Sequence, residues 1–93
     1  MPDSLPTKLT PRPELVCQEL DGEIVILDMQ QEQYFGLNAV GARMWQLMSA
    51  GENTDQIIEM IKSEFEVTED TIRTDLTALC GQLTDAGLLT SAA

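Results

Sequence analysis

The chain offers few residues that could do chemistry: two thiols, Cys17 and Cys80, sixteen carboxylates, one pair of adjacent aromatics, Tyr34-Phe35, and one tryptophan, Trp45. None stands beside a histidine, because the chain has none. That absence removes the commonest general base, the commonest metal ligand and every Ser-His-Asp or Cys-His arrangement. The cysteines show no C-x-x-C spacing and do not complete a four-ligand zinc site, so they read as reduced thiols of a cytosolic protein. The carboxylates show no D-x-D-x-D-G loop and read as a solvated acidic surface rather than a cation site. No cofactor and no metal is implied, and binding is favoured over catalysis.

Two further features can be read as sites. Asp3-Ser4-Leu5 has the triplet that carries phosphopantetheine in carrier proteins, but it lies beside Pro2 and Pro6 rather than at the start of a helix. Tyr34 and Phe35 are neighbours on an expected strand and must point to opposite faces, so one enters the core and the other is left for a surface role. An aromatic beside an open sheet edge can line a pocket for a peptide that adds to that edge as a strand. Trp45 and Cys80 lie among apolar residues at helical spacing and read as packing residues.

The elements that must position these residues are marked by their punctuation. Residues 1–13 hold all four prolines and read as an extended N-terminal arm. A domain is expected over residues 14–90, with residues 91–93 as a tail. Two short apolar segments, Leu15 to Leu20 and Glu23 to Asp28, flank Asp21-Gly22, a pair suited to the positive φ angles of a two-residue hairpin. Ile24-Val25-Ile26-Leu27 is apolar at every position and reads as a central strand covered on both faces. A third strand is expected around Gln33 to Leu37.

Asn38 then caps a helix carrying Val40, Met44, Trp45, Leu47 and Met48, which Gly51 ends. Thr54 opens a second helix with Ile57, Ile58, Ile61 and Phe65 on one face. Thr68 caps a third, with Glu69 and Asp70 at its positive end, a stripe of Ile72, Leu76, Leu79, Leu83 and Ala86, and Gly87 as its stop. Three strands of an antiparallel sheet followed by three helices is an α+β fold of winged helix-turn-helix-like shape.

Charge decides what that shape is for. The formal net charge is −11 on a chain of 93 residues, of which 43% are hydrophobic. The apolar content is enough for one small folded core, and the surface repels nucleic acid and anionic membrane. The third helix has the position of a DNA reader, but it sets Glu69, Asp70, Asp75 and Asp85 against Arg73 alone. No apolar run of signal-peptide or membrane-spanning length is found at the N-terminus, so a cytoplasmic protein is expected. A monomer is expected at this size, although an open strand edge also permits a paired dimer.

From about Leu15 to Leu89 the chain resembles the RiPP recognition elements, the peptide-recognition family typified by the D protein of pyrroloquinoline quinone biosynthesis. The resemblance is carried by Ile24 to Asp28, by Tyr34-Phe35-Gly36-Leu37-Asn38-Ala39-Val40-Gly41-Ala42-Arg43-Met44-Trp45, by Gly51, by Ile72 to Leu76 and by Gly87-Leu88. An aspartate ending the second strand and an aromatic pair before Gly-Leu-Asn look most like the stand-alone members of lasso peptide clusters. Met29-Gln30 departs from the Pro-Glu turn usual in the quinone-pathway type.

The resemblance implies a non-catalytic adaptor that binds the leader of a ribosomally made precursor peptide as an added strand. It would deliver that leader to a processing enzyme, the leader peptidase, with a cyclase acting afterwards. Carried over by position, the strand side of the groove would be Gln33, Tyr34 and Phe35, with Val25 or Leu27 below. Its helix side would be Glu69, Asp70, Arg73, Leu76, Thr77 and Cys80. An adaptor for a radical enzyme of quinone-cofactor or related peptide modification is the second reading, and a winged-helix transcriptional regulator is the alternative from another class.

Overall fold

A computed structural model describes residues 8–92; Asp3-Ser4-Leu5 lies outside the described residues. The elements run β1 (Lys8–Pro11), β2 (Val16–Leu20), β3 (Glu23–Asp28), β4 (Gln33–Leu37), α1 (Ala39–Ser49), α2 (Thr54–Glu64), α3 (Glu69–Asp85) and β5 (Leu89–Ala92). Strands β2, β3 and β4 form an antiparallel meander in that order, followed by the three helices. The architecture is therefore the expected α+β, winged helix-turn-helix-like one. Asp21 and Gly22 both take positive φ, 54° and 82°, as a two-residue turn between right-twisted strands requires.

The end of the proline-rich segment meets the end of the described chain. Lys8–Pro11 pairs antiparallel with Leu89–Ala92 in a second, two-stranded sheet, with Leu9 opposite Ser91 and Pro11 opposite Leu89. Leu9 is fully buried, and β1 packs against α1. A two-stranded ribbon is all edge, and that is where a strand tolerates Pro11 without a donor N–H.

The helices start at their caps. Asn38 Oδ1 accepts the Gly41 N–H at 2.9 Å, and Thr68 Oγ1 accepts that of Thr71 at 3.3 Å. The second helix opens at Thr54 as expected, with Asn53 before it as the cap in a reciprocal capping box with Gln56. Thr54 itself is buried. Ile72, Leu76, Leu79 and Leu83 of α3 meet Met44, Trp45 and Met48 of α1 and Ile57, Ile58 and Ile61 of α2 in one core, which Ile24, Ile26 and Leu37 close from the sheet. Arg43 joins α1 to α2 by a two-pronged pair with Glu64, at 2.8 and 3.0 Å.

The helices cover only one face of the meander. Ile24, Ile26 and Asp28 are buried, while Val25 is exposed and Leu27 half-buried on the other face. The expectation that β3 is covered on both sides fails for that reason: three helices in succession after the sheet form a single layer.

Candidate functional site: a cleft beside an open strand edge

The meander ends at β4, whose outer edge carries no further strand among the described residues. Beside it a cleft of about 310 Å³ separates β4 and the start of α1 from the middle of α3. Its apolar walls are Phe35, Leu37, Val40 and Met44 on one side and Ala78 and Leu79 on the other, with Asn38, Asp75 and Gln82 as polar groups. Gly36 and Gly41 complete the strand and helix side. At Gly41 a Cβ would stand 3.3 Å from Asn38 Oδ1, so a bare Cα keeps the helix cap intact at this corner.

One end of the cleft is tied shut. Gln33 Nε2 donates to the carbonyl of Ala86, the first residue beyond α3, at 2.8 Å and lies 3.4 Å from Asp28 Oδ2. Asp28 is buried at the end of β3 and pairs with Arg12 Nη2 at 2.7 Å. It also accepts the backbone N–H groups of Gln30 and Gln31 and the Gln31 side-chain amide, at 3.1, 3.3 and 3.0 Å. Burial pushes its pKa up, but the Arg12 hydrogen bond, the Gln31 backbone N–H, the Arg12 charge and the Gln33 amide pull it down by more. The carboxyl is held below its ordinary range. Arg12 also donates its backbone N–H to the Leu88 carbonyl at 2.9 Å. The hub thus connects β1, the β3–β4 turn and the end of α3.

This arrangement offers an extended peptide two things at once: unpaired main-chain groups along β4, and a pocket for alternate side chains. Among the described residues no three His, Cys, Asp or Glu side chains gather as metal ligands, and Cys17 and Cys80 are free thiols.

Residues 23–89 match the family model of coenzyme PQQ synthesis protein D, PqqD. The chain belongs to the PqqD family. Two solved structures are similar to it. TbiB1 in complex with the TbiA(beta) leader peptide is 33% identical, with a TM-score of 0.82 over 90% of this chain and 98% of that one. Lasso peptide synthetase B1 complexed with the leader peptide is 26% identical, with a TM-score of 0.79 over 89% of this chain and 98% of that one. No curated protein matches the sequence significantly.

Within this PqqD-family fold the residues expected at the site are dispersed. Phe35 lines the cleft and Gln33 stands at its tied end. Tyr34 points the other way: it is opposite Leu27 in the register and exposed on the outer sheet face, which it shares with Val25. None of the six α3 residues expected on the groove lines the cleft. Glu69 pairs with Arg73 one turn on at 3.1 Å and lies 3.9 Å from Lys62 of α2, so this flank of α3 turns toward α2. Leu76 is fully buried in the core, Thr77 and Cys80 are half-buried, and Asp70 is exposed.

The helix side of the cleft is instead the opposite flank, Asp75, Ala78, Leu79 and Gln82. At 100° per residue these positions cluster as tightly as the expected set does. A polar-small-polar row at positions 75, 78 and 82 beside an apolar stripe was the available signal, but nothing local says which flank faces β4.

Proposed function

We propose that this chain is a non-catalytic adaptor that binds the leader segment of a ribosomally synthesised precursor peptide and delivers it to a processing enzyme, the leader peptidase of lasso peptide biosynthesis. The leader adds as a strand to the free edge of β4, and alternate side chains enter the cleft against Asp75, Ala78, Leu79 and Gln82. The observation that carries the reading is the coincidence of an open β4 edge with that cleft. Its support is that both similar solved structures are leader-peptide complexes. The adaptor works in the cytoplasm with its thiols reduced; among the described residues no helix is long and apolar enough to cross a membrane.

Strand addition with two or three filled pockets corresponds to a dissociation constant on the order of a micromolar. Fluorescence anisotropy with a labelled leader of the precursor encoded beside this gene tests the reading. Saturable binding in that range is expected, and no binding at tens of micromolar (about −6 kcal/mol) overturns it.

A further inference from the structure

The outer face of the meander, opposite the helices, is an apolar surface that nothing in the fold uses. Directly opposed residues share a face, so Val16, Leu27 and Tyr34 form one row across β2, β3 and β4, with Val25 and Leu20 beyond it. Val16 is 46%, Val25 36%, Leu20 73% and Tyr34 77% exposed. A strand apolar at every position from Ile24 to Leu27, with only one face covered, is the composition of a sheet that expects a second layer.

The charge around this row is of one sign. Residues 13–42 contain no Lys or Arg, while Glu14, Asp21, Glu23 and Glu32 are exposed at the ends and turns of the three strands. Glu23 shares the face itself, opposite Leu20. Two copies of this chain would bring these acidic rims together, so self-pairing through the face is disfavoured, and an apolar surface rimmed by Lys and Arg is favoured. The face is also continuous with the β4 edge. A peptide strand added there would widen the same sheet face, with Phe35 turned to the cleft and Tyr34 to the partner.

We infer that this outer sheet face is the docking surface for the processing enzyme, which meets it with an apolar centre and a basic rim. The inference rests on the adaptor reading above. The leader then lies between two surfaces, α3 on one side of the sheet and the enzyme on the other, and the enzyme holds the peptide it must act on without competing for the cleft.

The test uses the leader peptidase encoded beside this gene as the probe, titrated against the intact chain by biolayer interferometry, with leader anisotropy run in parallel on the same samples. Leu20→Ser, Val16→Ser and Glu23→Lys change exposed residues on β2 or at its hairpin, remote from the β4 edge. Each is expected to weaken peptidase binding at least tenfold while leader affinity stays within twofold, and wild-type peptidase affinity is expected to fall as salt is raised. The inference is overturned if the peptidase does not bind the wild type, if all three variants bind it within twofold of wild type, or if they lose leader and peptidase together. It is equally overturned by a wild-type dimer in sedimentation that Leu20→Ser dissociates. Failure of the wild type to bind leader, in contrast, removes the adaptor reading itself, and the anisotropy arm reports that separately.

Discussion

Gln33 and Ala86, 53 residues apart, are joined by one hydrogen bond of 2.8 Å from the side-chain amide to the main-chain carbonyl. That bond is where the edge strand and α3 are held at a set distance, and the cleft opens beyond it. The Ala86 carbonyl is one of the C-terminal helix acceptors that the helix cannot satisfy internally.

Gln33→Leu keeps the bulk and removes the donor. A loss of about 1 kcal/mol in stability is expected, as for a hydrogen bond to an acceptor that is then left half-buried. Leader affinity should fall several-fold because the cleft width is no longer fixed. Denaturant titration and anisotropy on the same sample check both; unchanged affinity with lowered stability would make Gln33 purely structural.

Asp28 gives the fold an acid-sensitive joint. Its carboxyl has a pKa below the ordinary value of about 3.9, so the unfolded chain takes up a proton more readily than the folded one. Its stabilising contribution is complete above that unfolded value and is lost as pH falls through the lower, folded value. Glu64, lowered mainly by its hydrogen bond from Arg43, acts in the same direction. Thermal unfolding followed from pH 7 to pH 2 should show stability falling below about pH 4. In Asp28→Asn the starting stability should be lower and the acid dependence shallower.

The two flanks of α3 are separable by substitution. Ala78 is exposed and lines the cleft, so Ala78→Phe should fold normally and weaken leader binding at least tenfold by filling the space. Arg73→Ala, on the flank toward α2, should leave leader binding unchanged. Leu76→Ala should cost about 2–5 kcal/mol through a core cavity and affect binding only through unfolding. Circular dichroism melts beside anisotropy distinguish the three.

Gly87 ends α3 with φ at 77°, and a Cβ there would lie 3.2 Å from the Gln31 side-chain amide. Gly87→Ala should lower stability by about 1–2 kcal/mol from the left-handed backbone alone. It should also disturb the contact with the β3–β4 turn. A shift of the denaturant midpoint without a change of slope is the expected reading.

The local features of this protein were determined by its sequence: the Asp21-Gly22 turn, the caps at Asn38 and Thr68, the stop at Gly87, and the apolar stripe of α3. Each depends on residues within a few positions of one another, so their geometry follows from backbone sterics and periodicity. The tertiary structure decided what depends on partners distant in the chain. Pro-rich residues near the N-terminus became β1 only because β5, some eighty residues on, supplies the hydrogen bonds. Ile24 to Leu27 carries apolar side chains on both faces, and only the placement of the helices left Val25 and Leu27 outside. On α3 the stripe from Ile72 to Leu83 is flanked by two equivalent rows, Glu69-Arg73-Thr77-Cys80 and Asp75-Ala78-Gln82. Helical periodicity defines both rows equally, and which of them lines the cleft was decided by the way α3 packs against α2, α1 and β5, a relationship with no local signature.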